Sequence, residues 1–450
     1  MADIGPGIEE RAGAYAVIGA GMSGLASLKA LLEAGFDADC YERESEVGGN
    51  WNIDARNSRI YRSIHLISSR PFTQYPDFPM PDTFADYPSH TEVLGYFKRY
   101  ADHFGLREHI AFDHDVLRVE PVDGGARWDV TAEGPEGAPR TRRYDGVLIA
   151  NGHNWSPKMP AYEGLDVFSG TVLHSKDYKD SDVLRGRRVL IVGGGNTGCD
   201  LAVEGAQNAA ATYHSTRRGY YYNPKFVGGR PSDQVNDTLL MLRIPLAVRR
   251  LMYKATLRAT VGSFDKLGLQ KPDHEFGETH PVANSLLAYY LGHGDIQPKP
   301  EIRRFTAEGV EFTDGTSADV DVVVFCTGYL ATFPFLADEH LNTADGRPRL
   351  YQNEFTPRHD NLFVVGLHQP DSGTFCLSHW QAVAAVRYLE AKRDRPEAAR
   401  AFRAQVAAET DRQFTGGMRF TDSTRHYFEI AHQDFLAGVE QTIHQLEGAR

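Results

Sequence analysis

The stretch YAVIGAGMSGLASLKALLEAGFDADCYERE, Tyr15 to Glu44, decides the fold. Tyr15 to Ile18 is a short apolar run that reads as a strand, and an alanine- and leucine-rich helical segment follows it. Between them Gly19, Gly21 and Gly24 stand at G-x-G-x-x-G. Gly19 allows the tight turn, Gly21 lets a pyrophosphate approach the backbone, and Gly24 lets the helix lie close on the strand. The helix N-terminus offers N–H donors and the positive end of its dipole. A second strand, DADCYE, ends on Glu42, eighteen residues after Gly24, where a carboxylate accepts from ribose hydroxyls. The unit therefore predicts a dinucleotide-binding βαβ fold.

Beyond Glu42 the chain reads RESEVGGNW. A glycine pair, Gly48 and Gly49, directly after the ribose carboxylate suits a chain passing along an extended cofactor. This favours FAD over NAD and brings Arg43, Gly49, Asn50 and Trp51 among the candidate contacts.

The same pattern returns in GRRVLIVGGGNTGCDLAVEGAQNAAATYHSTRR. Val189 to Val192 reads as the strand, Gly193, Gly195 and Gly198 as the turn, a helix as running to about Asn208, and ATYHS as the next strand. No carboxylate closes this unit; Arg217 and Arg218 stand there instead. A carboxylate would repel a 2′-phosphate, whereas a guanidinium binds it bidentately, so this unit predicts NADPH.

Length and composition agree with two such units. A chain of 450 residues exceeds one hydrophobic core, and 41% hydrophobic with 24% charged residues describes a globular enzyme. The net charge of −12 argues against a nucleic-acid partner. Cys40, Cys199, Cys326 and Cys376 are too far apart for a C-x-x-C pair, so a disulfide-reductase branch is disfavoured and a reducing cytoplasm is expected. The first fourteen residues lack a signal-peptide pattern and read as a short disordered lead. Leu239 to Val261 is the most membrane-like segment. Arg243, Arg249, Arg250, Lys254 and Arg258 interrupt it, so no transmembrane segment is expected, and it reads as a helical insertion packed on the protein.

Between the two units lies VFSGTVLHSKDY, in which Phe168, Gly170, His174 and Tyr178 stand at F-x-G-x3-H-x3-Y. At this location the motif resembles that of the flavin-containing monooxygenases; the related Baeyer–Villiger enzymes usually end it in tryptophan. The resemblance extends through GGNW, YPDFPMPDTFADYPSHTEVLGYF, ANGHNWSPKMP, VVVFCTGY and NLFVVGL. It implies an α/β chain of two Rossmann-like dinucleotide-binding domains, the NADPH domain inserted into the FAD domain. The expected boundaries are 1–170 and 326–450 for the FAD domain and 171–325 for the NADPH domain, with a helical insertion at 223–300. It also implies that Leu66, Val116, Asn151, Thr327, Gly328 and Gly366 join the FAD and NADPH contacts, as do Asn196 and Thr197 in the second unit.

The activity implied needs little from side chains: NADPH reduces FAD, oxygen adds to give a C4a-hydroperoxyflavin, and NADP⁺ stays bound and shields it. A small nitrogen- or sulfur-containing substrate then takes one oxygen atom, and the resemblance leaves open a homodimer. One departure stands out. Many relatives carry an asparagine just before two serines in the segment matching YRSIHLISSR, and Ile67 occupies that place here. Ser68, His65 or backbone groups are then expected to take over its role, with Tyr178 as a third catalytic candidate. His174 is expected to organise the linker and the NADPH site. A metal is not expected, since His274 and His280 in HEFGETH lie in a loop-like stretch. Two alternatives stay open: Baeyer–Villiger or 2-oxo acid decarboxylating oxygenation, and an NADPH oxidase releasing H₂O₂, which Ile67 supports best.

Overall fold

The structure is a computed structural model that describes residues 7–421, 423 and 426–448. The first glycine loop connects strand β1 (Ile8–Ile18) to helix α1 (Met22–Glu33), which leads to β2 (Asp37–Tyr41). With β3 (Ile110–Ala111), β4 (Asp115–Val122), β5 (Arg127–Glu133) and β6 (Pro139–Ile149) they form a sheet of order β3-β2-β1-β6-β5-β4. Leu362–Val364 returns late in the chain to pair in parallel with β6. Helix α1 and the long helix Phe375–Asp394 cover one face, burying Leu25, Leu28, Leu31, Leu377 and Leu389. Each buried leucine contributes about 2 kcal/mol.

A second, wholly parallel sheet is built from residues between the strands of the first. Its order is Ile296–Lys299, Ala211–Ser215, Arg188–Val192, Val322–Phe325 and Thr171–His174. Val322–Phe325 is buried along its whole length, as an inner parallel strand should be. The two glycine loops reach the same packing solution. A Cβ on Gly24 would stand 1.7 Å from the Gly19 carbonyl oxygen, and one on Gly198 would stand 1.9 Å from that of Gly193. Any other residue there would push helix off strand.

Three expectations are corrected. The N-terminal lead is ordered from Ile8, and Ile8–Arg11 pairs with Thr141–Tyr144; its first six residues lie outside the described ones. Ion pairs rather than apolar contacts mark this extension: Glu9 with Arg142 at 2.9 Å, Glu10 with Arg127 at 2.9 Å, and Arg11 with Asp39 at 2.9 Å. Ile296–Lys299, assigned to the insertion, is an edge strand of the second sheet. The helices of Leu239–Val261 do not pack through an apolar face. Ser232–Met241 buries no residue and Leu246–Thr260 buries only Leu257, leaving Met241 78% and Leu251 69% exposed. Polar and aromatic contacts hold them instead, including Asp233 accepting from the Ser69 N–H at 2.5 Å and Tyr253 stacked on Phe276 at 3.5 Å.

Candidate functional site

A cleft of about 670 Å³ runs from the first glycine loop to the start of the Asn196–Asn208 helix. Gly19, Gly21, Glu42, Arg43, Gly49, Asn50, Trp51, His65, Leu66, Ser68, Val116, Asn151, Asn196, Thr197 and Gly366 line it. Gly24, Tyr178, Gly193, Gly195, Arg217, Arg218, Thr327 and Gly328 lie outside that lining.

The cleft floor fits a pyrophosphate and ribose. Helix α1 begins at Gly21 without a side-chain cap, so its first N–H groups are available to an anion. Gly48 and Gly49 have φ of 112° and 52°, and a Cβ on Gly49 would come within 3.1 Å of Gly21 Cα. This crossing brings two bare backbone segments together where a phosphate must be approached closely. Glu42 Oε2 accepts from the Ala20 N–H at 2.6 Å and Oε1 from the Glu44 N–H at 3.0 Å. Burial pushes its pKa up, while those two N–H donors and Arg43 pull it down. Its second lone pairs remain for ribose hydroxyls.

Ile64 to Ser68 forms one cleft wall. Ile67 is 36% exposed there, so an apolar side chain occupies the place where the resemblance leads one to expect an amide. Ser68 Oγ is bonded to Thr73 Oγ1 at 2.8 Å, and His65 Nδ1 lies 2.8 Å from the Ser63 carbonyl. The hydroxyl proposed to replace that amide is thus held by its own neighbours.

Asn196, Thr197 and Asp200, which also line the cleft, belong to the helix of the second glycine loop. Asp200 accepts from Tyr61 Oη and from Asn284 Nδ2, each at 2.7 Å. Burial pushes its pKa up against the pull of Tyr61. Asn196 spends its side chain on the insertion, donating to the Pro281 carbonyl at 2.9 Å and accepting from the Ala283 N–H at 2.8 Å. Tyr178 is fully buried behind Tyr61, ring centroids 6.0 Å apart, and donates to Glu204. Its placement is that of a support for the wall, because its hydroxyl faces a carboxylate rather than the cleft.

The remaining candidates sit elsewhere for local reasons. Gly193 and Gly195 make the turn before the second helix: Gly193 N–H donates to the Ser215 carbonyl at 2.9 Å, and Gly195 caps without a side-chain bond. Arg217 is exposed at the end of Ala211–Ser215, and Arg218 pairs with Asp273 at 2.6 Å. Thr327 donates to the Lys158 carbonyl at 2.6 Å, and the Gly328 carbonyl accepts from the Lys158 N–H at 2.9 Å. These two clamp the ANGHNWSPKMP segment. His174 Nδ1 accepts from the Lys176 N–H at 3.1 Å, and its ring packs edge-on against Tyr329 at 5.2 Å.

Several cleft groups escaped sequence reasoning. Arg59 donates to the Asn154 carbonyl and lies over the Tyr329 ring at 5.5 Å, and burial pushes its pKa down to about 9. Burial also lowers His153 to about 4 and His368 to about 3, so both are neutral at pH 7. His280 lines the cleft with Nδ1 3.2 Å from Oε1 of the buried Glu429. Glu429 lies 149 residues away in sequence, a distance that no local spacing could have bridged. Among the described residues no three metal-ligating side chains gather, and no helix is long and apolar enough to cross a membrane.

Comparison with known proteins bears on this arrangement. The family described as FMO-like, flavin-binding monooxygenase-like, matches residues 12–444. The chain is similar to flavin-containing monooxygenase 5 of Cavia porcellus, 32% identical over 447 residues, covering 95% of this chain and 81% of that one. It is 33% identical over 392 residues to dimethylaniline monooxygenase (N-oxide-forming) 2 of Rattus norvegicus, covering 83% and 73%. Among solved structures, the closed crystal form of cyclohexanone monooxygenase superposes with a TM-score of 0.73 at 20% identity, covering 98% of each chain. S-allyl-L-cysteine S-oxygenase from Allium sativum superposes with a TM-score of 0.67 at 22% identity, covering 96% and 88%. The chain belongs to the flavin-binding monooxygenase-like family, and it is a flavoprotein monooxygenase that binds FAD and uses NADPH and oxygen.

Proposed function

We propose that this enzyme inserts one oxygen atom into a small nitrogen- or sulfur-containing substrate. The observation that carries the reading is the single cleft shared by the first glycine loop and the N-terminus of the second loop's helix, walled by Ile67 and neutral histidines. Bound FAD supplies the redox and oxygen-activating chemistry, which no side chain provides. The residues do the rest. Glu42 holds ribose hydroxyls, the α1 N-terminus and the Gly49–Trp51 turn hold the pyrophosphate side, and Ile64 to Ser68 keep water out. The second glycine turn, with Arg217 and Arg218 at its strand end, holds NADPH in this reading. An amine or sulfide brings its own lone pair to the reacting oxygen, so no general base is required.

A carbonyl substrate is the second reading, and the likeness of the fold to cyclohexanone monooxygenase favours it. His280 also lines the cleft, but with Nδ1–H turned to Glu429 its neutral ring presents Nε2 as an acceptor. The test is to purify the FAD-bound protein, supply NADPH and oxygen, and identify products from amines, sulfides, ketones and 2-oxo acids. N- or S-oxides establish the first reading, and esters or decarboxylated acids the second. Stoichiometric H₂O₂ with every substrate rejects both.

A further inference from the structure

The helix Asn196–Asn208 does more than present its N-terminus to a dinucleotide. Asp200 and Glu204 are one turn apart and share a face of it. Asp200 accepts from Tyr61 and Asn284, each at 2.7 Å, and Glu204 accepts from Ser63 Oγ and Tyr178 Oη. Neither glycine motif requires these contacts. Tyr61 and Ser63 open the segment that continues directly into the cleft wall at Ile64 to Ser68. Tyr178 packs on Tyr61, and Asn284 belongs to the insertion. Two carboxylates on one helix thus tie the segment that leads into the wall to Tyr178 and to the insertion. Networks of this kind act as a unit, since a buried carboxylate that loses its donors is left unsatisfied.

We propose that Asp200 and Glu204 are positioning residues that transmit occupancy of the second dinucleotide site to the cleft wall beside the flavin. The proposal rests on the reading that NADPH occupies the N-terminus of this helix. Its consequence concerns the fate of oxygen. In productive turnover NADPH, H⁺, O₂ and substrate give NADP⁺, water and the oxygenated product. In the wasteful branch NADPH, H⁺ and O₂ give NADP⁺ and H₂O₂. Both consume two electrons from the nicotinamide, and a wall held firm while NADP⁺ is bound disfavours the second.

The test needs no oxygenated substrate, so it is independent of substrate class. The FAD-loaded enzyme is reduced with dithionite, mixed with oxygen with or without saturating NADP⁺, and H₂O₂ release is timed. NADP⁺ should slow release by the native enzyme, and Asp200→Asn and Glu204→Gln should each lose about threefold or more of that slowing. FAD content should be retained. Ser63→Ala and Tyr178→Phe, which remove single donors without changing charge, should shift the NADP⁺ effect in the same direction. The proposal is overturned if NADP⁺ slows native and variant enzymes equally, or if it has no effect on the native enzyme. A change confined to thermal stability also overturns it, assigning the carboxylates to the fold alone. Failure of the amine and sulfide reading, by contrast, is seen only in the product assay.

Discussion

Ile67 concentrates at one residue what distinguishes this cleft. A side chain 36% exposed in the lining offers neither donor nor acceptor, and the adjacent Ser68 hydroxyl is tied to Thr73. Ile67→Asn should slow substrate-free H₂O₂ release by roughly fivefold, the worth of about one hydrogen bond. Stopped-flow reoxidation measures it, and an unchanged rate would show that the wall works by exclusion alone. Arg217 makes a second residue-scale prediction. It is exposed at the strand end while Arg218 is engaged by Asp273. Arg217→Ala should therefore raise KM for NADPH roughly tenfold and leave KM for NADH nearly unchanged. Equal effects on both would detach Arg217 from the 2′-phosphate. At this scale the two tight glycine turns and the strand-end position of Glu42 were legible because the glycine spacing is local. Asp200 and Tyr61 meet across 139 residues, and nothing in either neighbourhood announces the partner.

Among the elements, the turn from Tyr351 to Phe355 carries an unpaid cost. Glu354 is completely buried, neither carboxylate oxygen has a partner, and burial pushes its pKa well above the ordinary value. The folded state therefore binds a proton that the unfolded chain releases near pH 4.3. The stability this group allows is full below that pH and falls as pH rises toward the folded pKa. Glu354→Val should raise Tm, and by more at pH 8 than at pH 5, as calorimetry at the two values would show. The opposite order would mean the carboxylate is charged and partnered. Both helices behind the glycine loops were legible, since each follows an apolar strand and a fixed turn. The first half of β1 was not, because Glu9, Glu10 and Arg11 form ion pairs across the sheet and show no apolar alternation. The insertion helices misled in the other direction: their leucines and methionines suggested a packed face, yet only Leu257 is buried.

At the scale of the whole molecule, a unit with a mixed sheet and a unit with a wholly parallel sheet are joined so that one cleft meets the glycine loop of the first and the helix start of the second. In the proposed reading that joining would bring hydride donor, flavin and oxygen acceptor together, and it emerges only when segments far apart in the chain meet. The most direct test is turnover of the FAD-bound enzyme with NADPH and an amine or sulfide under ¹⁸O₂, followed by mass spectrometry. The account predicts one ¹⁸O atom in the product for each NADPH consumed productively. Product oxygen drawn from unlabelled water, or NADPH consumption matched wholly by H₂O₂, would contradict it.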